Sequence, residues 1–276
     1  MITVPEYTLG CKKDQPDRRD FKITRMTATQ AATLPANIDY TGAMSPVGNQ
    51  YNEGTCVGFA CVDGSKEYQD KKELGQYVDL SVRYVYANAK KIDNYPNEEG
   101  TEIRCGMKIM EQKGVCPESC WRYIPQVTGK PCGSADALAE PYKIEGYWRV
   151  DGVDIIQALK ESLVANGPCV IGVLVYDGMF HAPKGVVPMP AEGEKCVGGH
   201  ALCLVGYDDA KKQFKFKNSW GGLWGDGGYG YLPYEYMVDE LMDAWSSRDM
   251  LGTPKPPKPW WVALWEFLIG LFSKKK

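Results

Sequence analysis

Histidine is scarce in this chain of 276 residues, which contains only His181 and His200. A site that needs several imidazoles is therefore excluded, and any histidine-based catalysis must use one of these two side chains. An excess of charge of one sign is also lacking, since 32 Lys and Arg stand against 35 Asp and Glu. Nucleic-acid-binding domains normally carry a basic stripe, so we expect no nucleic-acid partner.

A targeting signal is not visible either. The first seven residues lack the positively charged and apolar regions of a secretory signal peptide. Ten cysteines are more than usual, yet their density is well below that of small disulfide scaffolds. If Met1 is the true start of the chain, the default expectation is a cytoplasmic location with reduced thiols.

The chain divides by composition into three parts. Residues 1–34 form a polar, aperiodic extension, residues 35–250 carry regular apolar patterns, and residues 251–276 form a separate tail. Apolar periodicity predicts one helix that begins at Cys56 and three more that cover about 81–90, 102–112 and 153–165. Thr55 and Thr101 are two of the predicted N-caps. Apolar runs and alternation predict strands at 169–176, 201–207, 213–217 and 227–231. A helical part (about 35–145) thus precedes a strand-rich part (about 146–250), which predicts an α+β fold with two lobes.

The tail combines a stiff linker with an apolar end. A Pro- and Lys-rich stretch at 252–259 leads to an apolar segment at 260–272. As a helix, this segment would span ~20 Å, which is short of the ~30 Å hydrocarbon core of a bilayer. Its tryptophans and the lysines that follow suit an interfacial membrane anchor. Docking on the protein's own surface or on another copy is the alternative.

Cys56 is the cysteine best placed for chemistry. A thiolate at neutral pH needs a positive partner or a helix N-terminus, and Cys56 opens the first predicted helix. Gln50 lies six residues earlier on a loop, from which its amide could stabilise an oxyanion beside the sulfur. The alternative is a buried structural cysteine at a helix start.

His200 is the histidine expected to join that site. It follows two glycines and precedes a predicted strand, so its ring can project from a sheet edge. Asn218 ends the strand at 213–217, and pairing of the two strands would bring its amide to His200. Trp220 could shield that bond from water. His181 lies among turn residues and is expected at the surface or near a substrate.

Three motifs together resemble the papain (C1) family of cysteine peptidases. They are Gln50-x5-Cys56, Gly199-His200-Ala201 and Lys217-Asn218-Ser219-Trp220-Gly221. The 144 positions from Cys56 to His200 lie within the roughly 130–150 that are typical of that family. The resemblance runs from Leu34 to about Tyr231. It implies a papain-like fold, with the active cleft between a helical lobe and an antiparallel β-rich lobe.

The resemblance also implies a role for each catalytic position. Cys56 would be the nucleophile, His200 the general base and acid, Asn218 the residue that orients His200, and Gln50 the oxyanion donor. The implied partner is a peptide or protein substrate, and no metal or organic cofactor is required.

Four further residues match positions around the family's cleft. Trp220 and Trp224 correspond to the tryptophans that shield the site. Gly100 and Gly199 resemble positions at which family members hold the substrate backbone in extended pairing.

The chain departs from the family pattern next to the nucleophile. Glu53 replaces a cysteine that usually forms a disulfide, and Val57 and Gly58 replace an aromatic residue and an alanine. The missing disulfide fits a reducing compartment, or a different set of bridges among Cys105, Cys116, Cys120, Cys132 and Cys196. Three of these cysteines (116, 120 and 132) also have some likeness to a metal knuckle, but a fourth ligand at regular spacing is missing, so no metal is expected.

The extension resembles the short leader of bacterial and archaeal family members, through Pro16-Asp17-Arg18-Arg19-Asp20-Phe21. We expect residues 1–34 to lie over part of the cleft as an inhibitory or stabilising strap.

The function that the resemblance implies is hydrolysis of peptide bonds through a thioester acyl-enzyme. Two alternatives use the same fold: a catalytically weak binding module tethered by its tail, and an acyltransferase. Glu53, Val57 and the tail motivate the first of them.

Overall fold

Most strands of the protein join one antiparallel sheet. The computed structural model describes residues 7–21 and 33–249. The strands are β1 (Cys11–Lys12), β2 (Asn37–Asp39), β3 (Thr101–Glu102), β4 (Ile144–Arg149), β5 (Cys169–Val175), β6 (Gly198–Asp208), β7 (Gln213–Lys217), β8 (Tyr229–Pro233) and β9 (Leu241–Asp249). Six of them follow the order β4-β9-β5-β6-β7-β8 in one sheet, and β2 pairs with β6 as its seventh strand. The short strands β1 and β3 pair in parallel apart from this sheet.

The helices lie mainly in the first half of the described chain. They are α1 (Cys56–Phe59), α2 (Glu67–Leu74), α3 (Val82–Ala89), α4 (Ile103–Gln112), α5 (Ala135–Ala139), α6 (Ile155–Asn166), α7 (Asp177–Phe180) and α8 (Tyr234–Asp239). A π-helical segment (Ala60–Lys66) joins α1 to α2, so one continuous helix runs over 56–74. Several 3-10 turns complete the connections.

The helix over 56–74 lies between the two lobes and carries Cys56 at its start. It contacts α3 and α4 on one side and β5 and β6 on the other. Gly64 makes the close approach to the sheet possible, because a Cβ there would lie 2.5 Å from the Cβ of Cys203 on β6. Residues 56–62 are buried as a result, which fixes the position of the predicted nucleophile.

The α+β, two-lobe expectation is confirmed, and the predicted helices are present with shifted ends. Ser81 caps α3, since its Oγ accepts a 3.1 Å hydrogen bond from the backbone N–H of Tyr84. Of the two predicted threonine N-caps, Thr55 occupies the N-cap position of α1 and Thr101 was wrong, since Glu102 is the N-cap of α4. The Thr55 side chain makes no capping bond and lies 2.8 Å from the Tyr123 hydroxyl instead. Thr101 belongs to β3, because its N–H donates to the carbonyl of Gly10 at 2.9 Å.

The sheet holds strands that local patterns did not predict. The strand β9 lies within it, between β4 and β5. The segment 37–39, assigned by its pattern to the helical part, adds a strand to β6 of the other lobe. Its pairing is a long-range contact that no local pattern reports.

The membrane-anchor prediction cannot be placed on this structure. The segment 260–272 lies outside the described residues. Within 7–21 and 33–249, no helix combines the length and the apolar character that crossing a membrane requires.

Candidate active site

The Cys56 thiol sits at the N-terminal end of α1 and is fully buried. Backbone N–H groups approach its sulfur from the leader at Gly10 and from the sheet at Ala201, the residue after His200. Burial raises the pKa of the thiol to about 11, and these N–H groups oppose the rise only in part. In this closed arrangement Cys56 is therefore a neutral thiol.

His200 and Asn218 meet as the predicted strand pairing requires. β6 and β7 are antiparallel with Cys203 opposite Lys217, so the two residues lie at neighbouring strand ends. His200 Nε2 and Asn218 Oδ1 are 2.9 Å apart. The other ring nitrogen, Nδ1, is buried and has no hydrogen-bond partner within the described residues.

The protonation of His200 follows from its burial. Burial lowers the pKa of the imidazole to about 4, although the hydrogen bond to Asn218 works in the opposite direction. The ring is neutral at physiological pH in this arrangement. Nδ1 is then the nitrogen that remains available to accept a proton.

The Gln50 amide is fixed by hydrogen bonds at both of its polar atoms. Its Nε2 donates to the carbonyl oxygens of Thr8 at 2.7 Å and Glu53 at 2.9 Å. Its Oε1 accepts a 2.6 Å hydrogen bond from the Ser219 hydroxyl. Ser219 stands in one of the three sequence motifs, but its role in orienting Gln50 was missed because the two residues are 169 positions apart.

The leader segment, defined as residues 7–21, passes directly over these groups. The carbonyl of Thr8 occupies the N–H of Gln50, and the N–H of Gly10 reaches the Cys56 sulfur. The next residue, Cys11, begins β1 and pairs in parallel with Thr101. The leader segment therefore contacts Gln50 and Cys56 directly. It also passes close to Gly199, the residue before His200.

Gly100 and Gly199 flank the leader backbone at this point. A Cβ on Gly100 would lie 2.3 Å from the carbonyl oxygen of Gly10, and one on Gly199 would lie 2.3 Å from that of Cys11. Gly100 also has a φ of +84°, which favours glycine. The two glycines thus leave room for the leader backbone, which passes close to both of them.

Aromatic rings cover the His200–Asn218 pair. The Trp220 ring stacks on His200 at 4.7 Å between centroids, and the Trp224 ring meets Trp220 edge-on at 5.3 Å. Phe180 stacks on Trp220 at 5.4 Å, and the leader's Tyr7 stacks on the same tryptophan at 4.5 Å. Phe180 and Tyr7 were missed because nothing in the local pattern links either of them to Trp220. His181, by contrast, is exposed.

An ion pair occupies the position beside the nucleophile where a disulfide cysteine was expected. Glu53 binds the buried Arg83 guanidinium through both of its carboxylate oxygens, with 2.7 Å from Nη2 to Oε2. Burial opposes the charged carboxylate, but the hydrogen bonds from Arg83 and its neighbours outweigh burial and lower the pKa of Glu53. This pair ties the loop before Cys56 to α3 without a disulfide.

The remaining cysteines divide into one bridge and several thiols. Cys120 and Cys132 form a disulfide with a Cα–Cα distance of 5.1 Å. Their bond removes two of the three ligands of the metal knuckle considered from spacing. Within residues 7–21 and 33–249, no group of three or more His, Cys, Asp and Glu side chains could hold a metal ion.

Comparison with known proteins identifies the family. The family model described as papain family cysteine protease matches residues 34–240. The chain belongs to this family. It is therefore a cysteine-type hydrolase of peptide bonds, and its α+β fold is the papain-like one.

Individual relatives agree with that assignment. An uncharacterized peptidase C1-like protein of Acanthamoeba polyphaga mimivirus is 31% identical over 270 residues, which cover 87% of this chain and 86% of the relative. Cathepsin K of Mus musculus is 28% identical over 221 residues, or 79% of this chain and 65% of the relative. The crystal structure of xylellain, a cysteine protease of Xylella fastidiosa, superposes with a TM-score of 0.79 at 29% identity, covering 91% of this chain and 99% of that one.

Proposed function

We propose that this papain-family protease cleaves peptide bonds with Cys56, His200, Asn218 and Gln50. The observation that supports the proposal most is the arrangement at His200. Its Nε2 is bound to Asn218 at 2.9 Å, its Nδ1 lacks a partner within the described residues, and the adjacent N–H of Ala201 reaches the Cys56 sulfur. An imidazole held in this way keeps one nitrogen available to take the proton of a nearby thiol.

The reaction then proceeds by acyl transfer through the thiol. Nδ1 of His200 takes the Cys56 proton, and the thiolate attacks the scissile carbonyl carbon. Gln50 Nε2 and the Cys56 backbone N–H donate hydrogen bonds to the resulting oxyanion. His200 returns the proton to the leaving amine, and water activated by His200 hydrolyses the thioester.

The leader segment is proposed to hold the enzyme inactive. With Thr8 on the oxyanion donor and Gly10 on the sulfur, a substrate carbonyl cannot reach the site. Burial under this cover also keeps both reactive groups neutral. Incubation of the purified protein with time-resolved N-terminal sequencing tests this role. An unprocessed chain with full activity would exclude an inhibitory leader.

The rival function, a binding module with weak catalysis, loses two of the features that motivated it. Val57 is fully buried in the core of the helical lobe, and Glu53 is bound to Arg83, so both residues stabilise the fold beside the nucleophile. The third feature, the tail, lies outside the described residues. An acyltransferase would use the same residues and differ only in the nucleophile that reaches the thioester.

Covalent labelling separates the enzyme from the binding module. The protein, freed of its leader by limited proteolysis, is titrated with a peptidyl epoxide that reacts with thiols, and labelled residues are mapped by mass spectrometry. We expect selective labelling of Cys56, its loss in His200→Ala, and no change in Cys196→Ser, which removes the exposed free thiol. Labelling spread over several cysteines would contradict the proposal. Product analysis in the presence of an added amine then distinguishes hydrolysis from acyl transfer.

A further inference from the structure

The far end of the leader segment is held by two arginines that do not take part in the proposed reaction. Arg104 lies near the start of α4, and Arg149 ends β4. Both bind the carboxylate of Asp20. Arg104 donates from Nε at 2.8 Å and from Nη2 at 2.7 Å, and Arg149 donates from Nε at 3.1 Å. The Asp20 side chain is only 8% exposed, so these bonds are formed largely out of water.

The two arginines have supports that do not depend on the leader. The Arg149 guanidinium lies over the Trp245 ring at 4.5 Å, and its Nη1 donates to Asp243 at 2.6 Å. The Arg104 guanidinium lies over the same ring at 5.6 Å. Stacked, planar guanidinium groups lose little freedom when they bind a carboxylate. The site is therefore formed before its ligand arrives.

Besides Asp20, the carboxylates of Asp14, Asp243 and Glu102 lie around the pair, and Asp151 lines the same pocket as Arg149. Asp243 compensates Arg149. Glu102 lies near Arg104, but its carboxylate accepts from the Gln15 N–H at 3.4 Å and lies 3.6 Å from the Cys105 thiol. Within the described residues, the only ion pair formed by Arg104 is with Asp20. When the leader departs, Arg104 loses Asp20 and also the Gln15 carbonyl, to which its Nη2 donates at 2.7 Å, and Glu102 loses the Gln15 N–H.

Asp14, a second leader carboxylate near Arg149, does not serve the same purpose. Its carboxylate is 3.6 Å from Arg149 but also adjoins Asp243, and burial together with Asp243 raises the pKa of Asp14 to about 7. Two carboxylates thus compete beside Arg149. Asp20 is the one that both arginines share.

We propose that Arg104 and Arg149 form a carboxylate-binding site outside the catalytic centre, which anchors the leader through Asp20 and afterwards binds an acidic side chain of a peptide substrate. Asp20 lies ten residues from Gly10, which faces Cys56, so the site is at most ~33 Å along an extended chain from the sulfur. A pocket of about 290 Å³ opens beside it, and its charged lining residues are Arg149, Lys13 and five aspartates, of which only Asp151 and Asp243 lie outside the leader. Only the second role, for substrates, rests on the proposed peptidase function.

A binding experiment tests the site without any need for catalysis. The receptor is the full chain with Cys56→Ala to prevent cleavage and Asp20→Asn to loosen its own leader. A fluorescent peptide of residues 7–21 is the probe, and its dissociation constant is measured by anisotropy. The matched peptides carry Asp20→Asn or Asp17→Asn, because the Asp17 carboxylate is hydrogen-bonded, within the described residues, only to Arg19 of the leader itself.

We expect the Asp20→Asn peptide to bind at least about 10-fold more weakly than the unchanged peptide, since hydrogen bonds to charged groups are lost. The Asp17→Asn peptide should bind like the unchanged one. Arg104→Lys in the receptor should remove most of the difference, because a lysine cannot bind bidentately, whereas Arg248→Gln, at an exposed position of β9, should not. Equal binding of the two variant peptides, or no binding of the unchanged peptide, would overturn the proposal.

The substrate role needs a second measurement on the active full chain with Asp20→Asn. Matched peptide substrates that carry Glu or Gln at positions remote from the cleaved bond are compared by kcat/KM. The acidic series should be preferred at one position, and Arg104→Lys should abolish that preference. If the leader peptides discriminate but the substrates do not, the site is a leader anchor only and its substrate role is wrong. A chain with no peptidase activity would contradict the proposed function and leave the binding result intact.

Discussion

The helix over 56–74 buries polar groups at its start and near its middle, but only the group near its middle lies between opposite charges. Near its middle, Lys66 is fully buried between Asp70 at 2.6 Å and Asp249 at 2.9 Å. At its start, Cys56 and the facing His200 are just as buried, but among the described residues no charged side chain is hydrogen-bonded to either. Burial alone therefore does not decide the charge of a buried group. Burial disfavours the charged form, and neighbouring charges of either sign oppose that effect or add to it.

The difference explains how one helix can be both a rigid support and a reactive element. The ionic cluster around Lys66 fixes the helix against β9, which carries Asp249. We expect the pair at Cys56 to stay neutral only while the leader segment covers it. When the cover leaves and water enters, the desolvation that raises the pKa of Cys56 and lowers that of His200 is relieved, so a thiolate–imidazolium pair becomes accessible.

The largest effect is expected from breaking the ionic cluster. Lys66→Met leaves Asp70 and Asp249 buried without their shared ammonium, and removal of one partner of a buried pair costs about 3–5 kcal/mol. Urea unfolding should show this loss of stability, and it should grow with pH because burial and Asp249 raise the pKa of Asp70 to about 7 already. Lys72→Met, at an exposed site on α2, is the control. A Lys66→Met protein as stable as the parent would show that the ion pairs do not stabilise the helix.

The next effect concerns the neutral end. Gln50→Ala removes a proposed oxyanion donor and should lower kcat by about 10²–10³-fold. Steady-state kinetics on a peptide substrate, with the processed enzyme quantified by epoxide titration, measure it. Gln112→Ala, on the exposed end of α4, should leave kcat unchanged. A fall in kcat of less than about threefold would remove Gln50 from the mechanism.

The sequence predicted the neutral end far better than the rest of the fold. A glycine-threonine start before an apolar helix located Cys56, and the strand run after Gly199 located His200. The ionic cluster was not predicted, because β9 carries Asp243, Ser246, Ser247 and Asp249 as buried polar residues and so lacks the pattern of a central strand. Two of these residues have partners on the distant helix: Asp249 binds Lys66 at 2.9 Å, and Ser247 bonds Ser65 at 3.0 Å and, through its carbonyl, Gln69 at 2.8 Å. Local patterns cannot report pairs that are about 180 positions apart.

A pH experiment compares two buried groups at the leader segment, His200 beneath it and Asp14 within it. Closure of the leader segment over the site lowers the pKa of His200 to about 4. The contribution of His200 to the stability of the closed form is therefore largest above a pH of about 6.5, and it falls as the pH falls toward 4. Closure raises the pKa of Asp14 from 3.8 to about 7. The contribution of Asp14 to the stability of the closed form is therefore complete below a pH of about 4, and it is lost as the pH rises through 7. The two contributions oppose each other, and leader opening should depend only weakly on pH between 4 and 7.

Asp14→Asn should remove one contribution and expose the other. We expect this variant to open on acidification. Hydrogen exchange at the Thr101 N–H, which bonds the leader's Gly10 carbonyl, reports opening after correction for the intrinsic rate. The Val150 N–H, bonded to the Ala244 carbonyl within the sheet, serves as the control. Opening of Asp14→Asn that increases with rising pH would contradict the assignment of signs.

The smallest effect should come from the residue that orients the oxyanion donor. Ser219→Ala removes the 2.6 Å hydrogen bond to Gln50 Oε1, and a single such bond is worth about 0.5–1.5 kcal/mol, or roughly 2–13-fold in rate. Because Ser219 acts through Gln50, kcat should fall with KM unchanged, and Ser219→Ala should add nothing to Gln50→Ala. Ser65→Ala, which removes a buried serine hydroxyl far from the reactive groups, should leave kcat unchanged. Additive losses in the double variant would mean that Ser219 acts independently of Gln50, and the shared orientation of the two side chains would then be structural rather than catalytic.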